Sequence, residues 1–167
     1  MTRKPLKFGR YDYASFSAFA MYSVCSMAIP LMIVTMGKDL GFPLDKGGMS
    51  AGGFLHAARC SLMIVALLIC SLIAGKIGKR LSLGFCILFF GTGILACSLT
   101  TAYWMLLPCL ILVGFGEGIC EGLATPFIQD LHSDAPERYV NIGHAFWPVG
   151  TVLSVLVVGG LLTLGVG

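Results

Sequence analysis

The chain has 167 residues, 57% of them hydrophobic and only 11% charged, with a net charge of +3 and a mean hydropathy of +0.90. A soluble domain carries about a quarter charged residues, so this chain cannot cover a water-exposed surface. The composition excludes a soluble globular fold, and the small positive charge is no nucleic-acid signature; lipid accepts apolar side chains on the outside of a helical bundle.

The basic segment MTRKPLKFGR opens the chain, and residues 1–12 read as a short tail ahead of the bilayer. The apolar run behind it is too long for a signal-peptide core. The expected fold is all-α: a bundle of about five transmembrane helices. Span one covers about 13–36 and contains Pro30. Ser15, Tyr22 and Ser26 fall within a narrow arc of it, a stripe that either packs on a neighbour or lines a path. The loop GKDLGFPLDKGG, broken by Pro43, leads to span two, about 50–75. The stretch KIGKR turns into span three, about 81–99, and TTAYW turns tightly into span four, about 104–127. The polar segment QDLHSDAPER precedes span five, about 140–164.

Lysine and arginine are unevenly shared between the two ends. Arg3, Lys4, Lys7, Arg10, Lys76, Lys79, Arg80 and Arg138 belong to one side, and Lys38 and Lys46 to the other. Such a bias places the N-terminus in the cytoplasm, with the bundle in the plasma (cell inner) membrane. Tyr103 and Trp104 then start span four at the outer interface, as aromatic anchors.

A charge in hydrocarbon costs a few kcal/mol, so it needs a partner, a cavity or a task. Arg59 in span two and Glu117 and Glu121 in span four are such charges. The glutamates are one turn apart and repel, which favours a proton on at least one of them. Gly114, Gly118 and Thr125 share their stripe, and small residues let a second helix approach or open a cavity. Arg59 and Glu117 differ in depth by about 6 Å, within reach of an arginine side chain. A structural ion pair and a proton- or substrate-handling role both remain open. His56, a turn before Arg59, reads as a hydrogen-bonded helix histidine rather than a metal ligand. The seven cysteines all lie in apolar runs without a C-x-x-C pair, and read as small buried hydrophobes.

The segment SLIAGKIGKR resembles the loop between the second and third helices of major facilitator superfamily transporters, G-x-x-x-D-R-x-G-R-[RK]. Lys76, Gly78, Lys79 and Arg80 fit it in residue or charge, and Gly75 replaces its Asp. GEGICEGLATPFIQDL and NIGHAFWPVG resemble the fucose permease branch, the sugar–proton symporters, through Glu121, Pro126, Phe127, Asn141, His144, Phe146 and Gly150. Thr125 stands where that branch has Asn, and Cys25 and Ser26 where the fucose permease has an acid. The resemblance implies proton-coupled symport of a small polar solute, a sugar by this branch. It gives Glu121 and Glu117 the proton-coupling role, and Tyr22, Ser26, Glu121, His144 and Trp147 the solute contacts. Trp147 suits a sugar ring or a plain packing role. Arg59, Lys76, Gly78, Lys79, Arg80 and Asn141 are expected to hold or gate the bundle. No cofactor, metal or catalytic residue is implied. The superfamily has two six-helix halves, so five helices read as an incomplete N-terminal half whose partner is the missing C-terminal half. A small membrane protein acting as an assembly partner is the rival reading. An integral membrane enzyme finds no Ser/His/Asp set, H-E-x-x-H or phosphate loop in the chain.

Overall fold

In the computed structural model, residues 5–42 and 46–165 are described, with the backbone alone for 46–50. Arg3, Lys4, the Pro43 breaker and the side chain of Lys46 lie outside the described residues. Five helices follow one another: α1 (Arg10–Asp39), α2 (Lys46–Ile77), α3 (Lys79–Ser98), α4 (Tyr103–Leu131) and α5 (Pro136–Thr163). Each contains a stretch long and apolar enough to cross a membrane. The chain is an all-α, multi-pass membrane protein.

Local chemistry sets the helix ends. The Gly9 amide donates to the Asp12 carboxylate at 2.7 Å, closing the first turn of α1. Between α2 and α3 only Gly78 is non-helical, with φ of 85°, a left-handed value that suits a residue without Cβ. Pro136 opens α5, where its missing N–H leaves no helical bond unmade. The helices run past the apolar spans read from sequence. α4 continues through Pro126 to Leu131, and α5 starts at Pro136, four residues before the start near 140 read from sequence. Polar helix ends are stable outside hydrocarbon, so apolar runs mark only the middle of each helix.

α4 is the central element: 61% of its apolar stretch is buried, against 11% for those of α2 and α5. It packs on α2 and α3, while α1 packs chiefly on α5. In lipid, apolar side chains supply little drive for helix association, so close backbone approach and interhelical hydrogen bonds carry the packing. Gly114 and Gly118 lie directly on the α2 backbone, and a Cβ there would strike the carbonyl oxygens of Arg59 and Met63. Gly150 lies in the same way on Ala20 of α1. Ser23 and Thr151 hydroxyls meet at 2.7 Å, and Ser154 donates to the Val24 carbonyl at 3.2 Å, so α1 and α5 are also joined by polar bonds.

Candidate functional site

Arg59 and Glu117 are brought together. The Arg59 Nη1 donates to Glu117 Oε1 in a salt bridge between α2 and α4. Glu117 is fully buried and Arg59 is 3% exposed. Arg59 also reaches His56 Nδ1 at 3.3 Å and the Ser26 hydroxyl of α1 at 3.5 Å. His56 is thus a hydrogen-bonded helix residue, and its Nε2 lies 3.7 Å from Cys60 Sγ. Among the described residues, no group of three or more His, Cys, Asp or Glu is placed to hold a metal ion.

The two glutamates do not share one environment. Glu117 faces α2, whereas Glu121 is exposed. Four residues advance a helix by 400°, so Glu121 is turned about 40° from Glu117. Tyr22 of α1, 7% exposed, lies within electrostatic reach of both carboxylates and stacks on Phe90 of α3 with ring centroids 6.2 Å apart. One turn beyond Glu121, the Thr125 hydroxyl meets His144 Nε2 of α5 at 3.1 Å. His144 rests against Phe19, with centroids 4.9 Å apart. Trp147 is 36% exposed on the next turn of α5, and Asn141 is exposed on the turn before. Ser26 is half-buried and is turned toward Arg59 rather than Glu121.

The result is an exposed carboxylate beside the α1 tyrosine, with a threonine–histidine pair between α4 and α5 one turn further on. Such a surface can hold a proton, a cation or a hydrogen-bonding group in an otherwise apolar setting.

The basic end of the bundle forms a second cluster. Lys79 Nζ pairs with Asp130 Oδ2 at 2.6 Å and reaches the Pro126 carbonyl at 3.4 Å, which ties α3 to the end of α4. Arg80 lies 4.8 Å over the Tyr11 ring, and Tyr11 meets Phe127 edge-on. Lys76 is exposed. Sequence reasoning missed the rest of this cluster. Asp12, 3% exposed, lies 2.5 Å from His132 Nε2, and the His132 ring stacks on Tyr139 at 3.4 Å. The Lys7 amide donates to the Tyr139 hydroxyl at 3.1 Å, which anchors the N-terminal segment to α5. The Gly9–Asp12 helix start was a readable signal; the partner 120 residues away was not.

The class of protein defined by these five helices is a multi-pass helical membrane bundle, with a carboxylate on one face and a polar clasp at one end. The Major Facilitator Superfamily matches residues 14–167, and the chain belongs to that family. The chain is 27% identical over 130 residues to the multidrug efflux pump SdrM of Staphylococcus aureus (strain N315), covering 74% of this chain and 29% of that protein. It is 33% identical over 93 residues to the probable sphingolipid transporter spinster homolog 3 of Arabidopsis thaliana, covering 56% of this chain and 18% of that protein. The chain therefore spans under a third of the length of these relatives. No solved structure matches.

Proposed function

We propose that this chain works as part of a proton-coupled secondary transporter, in which Glu121 carries the coupling proton and its α1–α4–α5 surroundings contact the solute. The observation that carries the reading is the exposed Glu121 carboxylate beside Tyr22 in an otherwise apolar bundle. A carboxylate in that setting is expensive as an anion and inexpensive when protonated. Proton loading thus favours one arrangement of the helices over another. The face that bears Glu121 is proposed to meet the second half of the transporter, at the interface where this superfamily binds solutes. The Lys/Arg bias supports the N-terminus in the cytoplasm and residence in the plasma membrane.

The solute we favour is an amphiphile. Phe146 and Trp147 are partly exposed on α5 near His144, Tyr22 lies beside Glu121, and both relatives carry names that refer to drugs or sphingolipids. A sugar is the second reading. It rests on the likeness of Glu121, Pro126, Phe127, Asn141, His144, Phe146 and Gly150 to the fucose permease branch, and it uses His144 and Trp147 as sugar contacts. Glu117 is assigned the role of counter-ion to Arg59, with a share in proton coupling as the alternative.

The test is solute flux in vesicles under an imposed proton gradient, by the complete transporter that contains these helices. A panel of lipophilic cations, lipids and sugars distinguishes the two solute readings. Glu121→Gln is expected to abolish gradient-driven flux while leaving solute binding measurable. Coupled flux that persists unchanged in Glu121→Gln overturns the reading.

A further inference from the structure

The cations of the basic end are not alike in the fold. Lys79 is paired with Asp130 at 2.6 Å. Arg10 and Arg80 are exposed, and among the described residues neither forms an ion pair with a carboxylate. Both guanidinium carbons instead lie 4.8 Å from the centre of the Tyr11 ring. Arg10 Nη2 also donates to the Tyr11 hydroxyl at 3.0 Å. One ring therefore gathers two like charges at the first turns of α1 and α3. An aromatic face offsets only part of such a charge, so the two arginines make a positive site without a counter-ion.

A cavity of about 180 Å³ opens beside this site, between α1 and α3, with Tyr11 and Arg80 at its mouth. Ala14, Ser15 and Ala18 form one wall, and Leu83, Gly84 and Ile87 the other. Counted from Tyr11 and from Arg80, these positions are three, four and seven residues on, so each helix contributes a single face. The Ser15 hydroxyl donates to the Tyr11 carbonyl at 2.9 Å, and the walls below the mouth are otherwise apolar. A Cβ on Gly84 would meet nothing within 4 Å, so the groove is open there. It follows both helices for about 10 Å toward the bilayer interior, at 1.5 Å per residue.

We propose that this groove binds one anionic phospholipid, with its phosphate at Arg10 and Arg80 and the start of one acyl chain between α1 and α3. Arginine presents a fork of donors that matches phosphate oxygens, and such charge-assisted bonds are among the strong ones. A free anion would match the two cations but leave the apolar walls unfilled. A zwitterionic lipid would fill the walls but bring a cation of its own, which the two arginines repel. An anionic phospholipid satisfies both parts of the groove. The mouth lies at the helix starts, where hydrocarbon gives way to head groups, so a lipid reaches it without leaving its leaflet. With the N-terminus in the cytoplasm, as proposed above, that leaflet is the one rich in anionic lipid. Lys79 takes no part, because Asp130 already holds it.

Native mass spectrometry of the detergent-solubilised protein tests this, with phosphatidylglycerol and phosphatidylcholine of the same acyl chains added in parallel. Phosphatidylglycerol is expected to bind more tightly. Arg10→Gln and Arg80→Gln should each lower its affinity about fivefold, the usual effect of one basic residue at an anionic lipid surface. Lys76→Gln removes another exposed cation of the same end and should leave that affinity unchanged. Gly84→Leu fills the open part of the groove and should weaken phosphatidylglycerol binding with both arginines in place. Excess inorganic phosphate should not displace the lipid. Equal affinity for the two lipids overturns the proposal, as does unchanged binding in either arginine variant or in Gly84→Leu. A loss in Lys76→Gln as large as in the arginine variants, or displacement by inorganic phosphate alone, overturns it too. These measurements use no flux, so their outcome is separate from the role of Glu121.

Discussion

At the scale of single residues, the buried Arg59–Glu117 pair dominates the energetics of the bundle interior. Both groups are taken out of water and pair through Arg59 Nη1 and Glu117 Oε1, while Arg59 Nε and Glu117 Oε2 stay buried without a hydrogen-bond partner. Removing one partner leaves an uncompensated buried charge, which costs about 3–5 kcal/mol, whereas replacing both with neutral groups of similar size is often close to neutral. Arg59→Met alone is therefore expected to lower stability by about 3–5 kcal/mol. The double variant Arg59→Met/Glu117→Gln should recover most of that loss. Thermal unfolding of the detergent-solubilised protein measures both, and a double variant no more stable than the single one would contradict the counter-ion assignment. This pair was legible in the sequence, because a charge in an apolar run demands a partner and helix rise gives its depth. The divergence of Glu121 from Glu117 was harder to foresee. Spacing of four residues places the two on one face, but burial also depends on which neighbours cover each turn of that face, and spacing does not give that.

At the scale of elements, the five helices were readable because each needs about 20 apolar residues to cross the bilayer. Which face packs on which neighbour was not readable, since lipid-facing and protein-facing sides are both apolar. The glycines carry that information in the structure. Gly150 lies on the α1 backbone, where a Cβ would meet the Ala20 carbonyl oxygen and come within 3.0 Å of Ser23 Cβ, whereas Gly159 has nothing within 4 Å. The two sit on one helix, so the same change to alanine brings the same gain in helix propensity to each. The difference between them isolates the clash. Gly150→Ala is expected to be about 1–3 kcal/mol less stable than Gly159→Ala. Equal melting temperatures for the two variants would show that α1 and α5 do not depend on this close approach.

At the scale of the whole molecule, the bundle divides into α1 with α5 and α2, α3 and α4 together, and α4 meets both sets. A transporter half that changes shape must do so along such a seam, and the contacts that cross it hold the arrangement seen here. Two polar contacts at the basic end make a comparison possible. Lys79–Asp130 lies within the second set, with side chains 33% and 61% exposed, and an exposed pair of this kind is worth about 0–1 kcal/mol. Asp12–His132 joins α1 to the segment between α4 and α5, with side chains 5% and 15% exposed. Asp12 also accepts the Gly9 amide bond that starts α1, and His132 is stacked on Tyr139, so one carboxylate supports both the helix start and the seam. Loss of a buried hydrogen-bonded acceptor leaves its donors unsatisfied, at about 1–3 kcal/mol. Asp12→Ala should therefore destabilise the bundle more than Lys79→Ala, and His132→Ala should account for part but not all of the Asp12 effect, since the α1 cap survives in it. Amide hydrogen exchange at the start of α1 separates the two contributions. Faster exchange there in Asp12→Ala, with near-normal exchange in His132→Ala, is the expected pattern. Equal exchange in both variants would mean that the seam contact, and not the cap, keeps the start of α1 closed.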